Sequence, residues 1–174
     1  MKKIVAILLL SCGLVSCNSC SKNNTVTVPT ATASVVVPPA PTSQLVKGDS
    51  FSLTLPADWN QRSNPMETNI KAMYTNDEKE ALLMLAAQPF PSSQDEFVLL
   101  AIRDLRDNGV NVGLSKPFVI NGQDFVVVET EKDNVNAYMW LTVKDGFGYQ
   151  LTCGARTQDL KELCTSLAST LELK

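Results

Sequence analysis

The chain has 174 residues, a formal net charge of −3 and no histidine. Without imidazole, Ser-His-Asp and Cys-His catalysis and most zinc sites are excluded, because histidine is the usual base near neutral pH and the commonest metal ligand. The acidic balance offers no basic face for nucleic acid and no cationic stretch for adhesion to anionic lipid.

Met1-Lys2-Lys3 is a positive start, followed by an unbroken apolar run from Ile4 to Leu10 that continues through Cys12 to Val15. The run is too short to span a bilayer, which takes ~20 apolar residues. A charged start, a short apolar core and small residues at its end predict an export signal. Its end, Leu14-Val15-Ser16-Cys17, resembles the lipobox of bacterial lipoproteins: an aliphatic residue, two tolerant positions with a small one last, then cysteine. That resemblance implies a signal peptide over residues 1–16, with lipidation of the Cys17 thiol and Cys17 as the new N-terminus. Leu9-Leu10-Ser11-Cys12 fits the pattern loosely but would leave a shorter apolar run, and a plain secreted protein is the competing reading. Acyl chains on Cys17 would hold the protein to a membrane, since each buried methylene contributes ~0.8 kcal/mol. Asn18, by analogy with enteric lipoproteins, points to the periplasmic side of an outer rather than an inner membrane in a Gram-negative host.

From Cys17 to residue 45 the chain is rich in Ser, Thr, Asn and Pro. Pro29, Pro38, Pro39 and Pro41 forbid regular helix and disfavour a central strand, which predicts an extended tether. Val35-Val36-Val37 is an apolar island within it, read either as part of a mobile linker or as an edge strand that docks on the domain. Residues 46–174 have the length of one domain able to bury its own core.

Within that domain, Phe51, Leu53 and Leu55 alternate with Ser52 and Thr54 and predict a half-buried strand ended by Pro56. Ile70–Thr75 and Ala81–Ala87 read as strands joined by the charged turn Asn76 to Glu80. Ser93-Gln94-Asp95-Glu96 is a capping-box pattern opening a helix to about Asn108, with Phe97, Ala101 and Leu105 on its buried stripe and Gly109 closing it. Four strands follow: Phe118–Ile120, Phe125–Thr130, Val135–Val143 and Phe147–Thr152. Asn121-Gly122 and Asp145-Gly146 are hairpin signals. The last element is a helix from Thr157 or Asp159 with Leu160, Leu163, Cys164, Leu167 and Leu171 at helical spacing. If Asp145-Gly146 is a two-residue loop, Lys144 pairs with Phe147, Thr142 with Tyr149 and Trp140 with Leu151. One face then holds Tyr138, Trp140, Tyr149, Leu151 and Cys153, and the other Ala137, Met139, Leu141 and Val143. A sheet that is apolar on both faces needs cover on both. The expected fold is α+β: a mostly antiparallel sheet of six to seven strands with helices on both faces, a three-layer α/β/α sandwich.

Cys153 ends the last strand and Cys164 lies on the buried face of the helix that covers it. In an oxidising compartment these two are expected to form a disulfide, with buried free thiols as the alternative. Cys20 is left over in the tether, either free or available for a link between chains.

Phe51-Ser52-Leu53-Thr54-Leu55-Pro56-Ala57-Asp58-Trp59, the Ser-Gln-Asp-Glu-Phe helix start and Tyr149-Gln150-Leu151-Thr152-Cys153 together resemble the Mog1/PsbP-like fold and, within it, the DcrB-like bacterial lipoproteins. The group includes an import factor, photosystem subunits and chaperones for secreted toxins. The resemblance implies a non-catalytic binding domain, no cofactor and a protein partner in the cell envelope; it carries over no catalytic residues. Trp59, Tyr138, Trp140 and Tyr149 are candidates for a binding surface, set against plain core packing. The Asp77-Glu78-Glu80 turn is set between a cation site and a solvated hairpin tip, and no metal site is expected. Ser115-Lys116 has the residue types of a Ser-Lys hydrolase without a supporting motif. Asp104 and Asp107 read as an outward helix face.

Overall fold

The structure, a computed structural model, describes residues 42–63, 69–156 and 160–174. The expected export signal, Cys17, Cys20 and the Val35–Val37 island lie outside the described residues. In chain order the elements are β1 (Ser43–Lys47), β2 (Phe51–Pro56), β3 (Asn60–Gln61), β4 (Ile70–Asn76), β5 (Ala81–Pro89), α1 (Gln94–Asp107), β6 (Asn111–Ile120), β7 (Gln123–Lys132), β8 (Val135–Lys144), β9 (Phe147–Ala155), α2 (Leu160–Ala168) and β10 (Glu172–Leu173).

The main sheet has seven strands in the order β3-β4-β5-β9-β8-β7-β6, each neighbour antiparallel. Local chemistry sets its hairpins. Asn121-Gly122 and Asp145-Gly146 both take positive φ, at 49° and 80° and at 51° and 76°, the conformation a two-residue turn between twisted strands requires. Asp133-Asn134 does the same between β7 and β8, a third tight turn that lacks the glycine signal. The register expected for the last hairpin is the observed one: Lys144 faces Phe147, Thr142 faces Tyr149 and Trp140 faces Leu151.

Alternate residues of the sheet divide between two cores. On one face Tyr74, Leu83, Leu85, Val127, Trp140, Leu151 and Cys153 pack with Cys164 and Leu167 of α2. On the other, Val128, Met139 and Leu141 pack with Phe97, Ala101 and Leu105 of α1. The Ser93 hydroxyl caps α1 by accepting the Glu96 N–H at 3.3 Å, as the sequence pattern predicts. Cys153 and Cys164 form a disulfide that ties central strand β9 to α2. The expected three-layer sandwich is present.

One part is arranged differently from the simplest reading. The strand at Phe51–Pro56 does not join the main sheet. It forms a second sheet, β1-β2-β10, whose β2 side chains Phe51, Leu53 and Leu55 enter the α2-side core. The cause is its partners: β1 begins at Ser43, inside the segment read as tether, and β10 is the short strand after α2. Neither has a strong strand pattern of its own, and both are held by pairing with β2.

Candidate binding cleft

The β6–β7 turn, the end of β8 and the C-terminal strand β10 enclose a cleft of about 420 Å³. Ile120, Phe125, Leu171 and Leu173 supply its apolar lining, and Asn121, Gln123, Lys144, Glu172 and Lys174 its polar groups. The volume falls in the usual range for ligand pockets, which run from about 300 to 1,000 Å³.

Each wall is pinned. Asn121, in the left-handed region, donates its amide to the carbonyls of Ser169 at 3.2 Å and Leu171 at 2.9 Å, which docks the tight turn onto the end of α2. Lys144 Nζ donates to Leu173 O at 2.7 Å and Lys174 Nζ to Gly48 O at 3.0 Å. Gln123 Nε2 donates to the Thr142 hydroxyl at 3.0 Å where β7 and β8 stop pairing. Glu172 accepts the Ser52 hydroxyl at 3.0 Å. Among the described residues, neither lysine has a carboxylate within ion-pair distance.

The cleft adjoins the free edge of the main sheet. β6 is outermost, with Val119 at 62% and Leu114 at 73% exposure. This edge is guarded. Its ladder is broken by a bulge between Val112 and Ser115, Lys116 reaches Glu129 at 3.7 Å, and Pro117 has no N–H to offer another strand. Leu114, within the bulge, and Val119 are separate exposed apolar side chains, and the backbone beside them resists strand addition.

Of the four aromatic candidates from the sequence, Tyr138, Trp140 and Tyr149 share one face of the main sheet and Trp59, between β2 and β3, packs into the α2-side core, but they form no open surface. Trp59, Trp140 and Tyr149 are 2%, 1% and 3% exposed. Tyr138 is half-buried, with its ring 6.1 Å from that of Trp140. Burial, and then the facing Glu129 carboxylate, raises the Tyr138 hydroxyl above the ordinary tyrosine pKa. Core packing accounts for the two tryptophans and Tyr149. In the charged turn, Asp77 pairs with Arg62 and Lys79 with Asp58, so the turn is a network of opposite charges. Among the described residues no group of three potential ligands gathers for a metal. Ser115 and Lys116 are neighbours along β6, so their side chains leave on opposite faces and form no dyad.

Sequence reasoning missed Lys144 and Lys174, which lie far apart along the chain. Only the pairing of β10 with β2 brings them to one cleft. The available signal was weak: a lysine beside the Asp145-Gly146 turn, two residues on from buried Thr142 and four from buried Trp140.

Among solved structures, the chain is similar to cyanobacterial PsbP from Synechocystis sp. PCC 6803, with a TM-score of 0.63, 10% identity, and 80% of this chain and 98% of that chain covered. It is also similar to a protein from Bacteroides thetaiotaomicron, with a TM-score of 0.54 and 14% identity; 76% of this chain is covered but only 48% of that one. No protein-family model matches the chain, and no curated protein does. At these identities the likeness defines the fold, which is Mog1/PsbP-like. No helix among the described residues is long and apolar enough to cross a membrane.

Proposed function

We propose that this protein is a DcrB-like bacterial lipoprotein, anchored through Cys17, whose Mog1/PsbP-like domain binds a protein partner in the cell envelope without catalysing a reaction. The observation that carries the binding role is the cleft beside the exposed, guarded flank of β6. Leu114 and Val119 leave further apolar side chains exposed along that strand, outside the cleft lining, while the interrupted edge discourages indiscriminate strand pairing. The lipobox Leu14-Val15-Ser16-Cys17 supports the anchor. Asn18 favours the periplasmic side of an outer membrane if the host is Gram-negative.

Two measurements test the two halves. Cells fed a clickable fatty acid should label the wild-type protein and not Cys17→Ser; an unlabelled wild-type protein rejects the anchor. Crosslinking with mass spectrometry on intact cells should recover a recurring envelope protein attached near β6. Recovery of none under mild crosslinking counts against the binding role.

A further inference from the structure

We infer that the outer face of α1 pairs with the same face of a second copy of this chain, the two helices running antiparallel about a two-fold axis. Helix α1 turns Phe97, Ala101 and Leu105 to the sheet and leaves Asp95, Glu96, Leu99, Arg103, Arg106 and Asp107 exposed on the side away from it. Leu99, at 67% exposure, is the apolar residue in the middle of that face. Two acids precede it and two arginines follow it.

The helix does not spend these charges on itself. Three and four residues beyond Asp95 and Glu96 stand Val98, Leu99 and Leu100, so neither acid has a base at the spacing where helical side chains meet. Arg106 has no acid at that spacing, and Arg103 has Asp107 alone. Among the described residues none of these charges enters an ion pair. Glu96 accepts the Ser92 hydroxyl at 2.5 Å, which leaves its charge unopposed. The helix dipole accounts for acids in the first turn and for Arg106 in the last. It accounts neither for Arg103, which lies before the last turn, nor for Leu99.

A two-fold contact brings each residue of a patch against the same patch on the other copy, so the patch must complement itself. Glu96, Leu99, Arg103 and Arg106 follow at steps of three, four and three, the spacing of a helix seam. With the axis midway between Leu99 and Arg103, Glu96 meets the second copy's Arg106. Leu99 then meets the aliphatic stem of the second copy's Arg103, and each contact occurs twice. Asp95 stands beside Glu96 at the acidic end. Asp107 removes one charge from the basic end, which keeps a net positive charge against the two acids. A parallel pair would set acid on acid and arginine on arginine, so charge also selects the direction. About four turns of helix make a small contact, which places the dimer in the weak, concentration-dependent class. The second copy is a different partner from the envelope protein proposed above, and the two readings stand or fall separately.

The test follows the mass of the purified full chain in detergent by sedimentation velocity, up to about 1 mM, the weak end of specific association. The wild-type chain should show a monomer–dimer equilibrium. Arg103→Glu with Arg106→Glu makes an all-acidic face, and Asp95→Lys with Glu96→Lys a basic one. Each double variant alone should dimerise at least about tenfold more weakly than wild type, because like charges then face each other. Mixed in equal amounts, the two should form a heterodimer, which a variant that had merely failed to fold could not do. Leu99→Ser in the wild-type background should weaken the dimer as well.

A wild-type chain that stays monomeric over the whole range overturns the inference. A dimer that either double variant keeps at full strength overturns it too, since the contact then lies on another face. Failure of the mixed variants to associate also counts as refutation, because opposite faces would have been brought together without effect.

Discussion

Gly148 lies beneath Phe97: a Cβ built on the glycine would stand 2.6 Å from Cε2 of the ring. Phe97 cannot easily yield, because it is buried and its ring sits 4.9 Å from that of Phe90. The absence of a side chain on β9 therefore sets how closely α1 approaches the sheet. Gly148→Ala should cost about 1–3 kcal/mol through overpacking. A urea titration should show a lower midpoint with an unchanged slope. An unchanged midpoint would mean that α1 moves away freely.

Asn76 ties the β4–β5 turn to the loop before Trp59. Its amide donates to Asp58 Oδ2 at 2.8 Å, and its Oδ1 accepts the Lys79 N–H at 3.0 Å. Asn76 is only 1% exposed, so Asn76→Ala would leave Lys79 N–H and Asp58 short of a partner. The expected loss is about 1–3 kcal/mol by thermal or chemical unfolding.

The same corner gives a pH dependence. The hydrogen bond from Lys79, assisted by Asn76, holds the Asp58 carboxyl below its ordinary pKa against a smaller opposing effect of burial. A carboxyl whose folded pKa is lowered adds stability above its unfolded pKa of about 3.9, and that stability is lost as pH falls through the folded value. Asp58→Asn should therefore flatten the stability curve below about pH 4, by less than about 1 kcal/mol because the pair is exposed. Parallel acid limbs for both proteins would contradict this.

The disulfide should be more important to stability than any of the surface ion pairs. Replacing Cys153 and Cys164 together by alanine should cost about 2–3 kcal/mol on the loop-entropy account. Both sulfur-bearing residues are fully buried. Reductant should therefore open the bridge slowly in the folded protein and quickly in urea, which mass shift after alkylation will follow.

Leu114 and Val119 test the surface without disturbing the core. Changing both to serine should leave the unfolding midpoint within about 0.5 kcal/mol of wild type. Recovery of the crosslinked partner should fall. A normal yield would place the contact elsewhere on the domain.

Much of the fold was legible because pattern and turn chemistry agree. Val135 to Thr152 carries both faces of a sheet, and the Asp145-Gly146 turn fixes which residue meets which. Ser93 and Gly109 mark the ends of α1. The cleft was not legible, since it depends on β1 and β10, whose sequences Ser43–Lys47 and Glu172–Leu173 have no persuasive alternation. Their strand character comes from β2, a nonlocal cause. The aromatic residues misdirect for a related reason: a tryptophan on an apolar strand has the same sequence appearance whether it lines a pocket or fills a core. Only the cover supplied by α2 and β2 settles the difference for Trp140.

The strand β2 has two ends with different neighbours. The Ala57 N–H donates to Thr42 O, so the polypeptide enters the domain beside Pro56, whereas the Phe51 end pairs with Leu173 at the rim of the cleft. Five residue steps of extended chain separate the two ends of Phe51–Pro56, roughly 16 Å. A pull on the incoming chain would therefore load β2 at its Pro56 end, a strand's length from the end that meets the cleft.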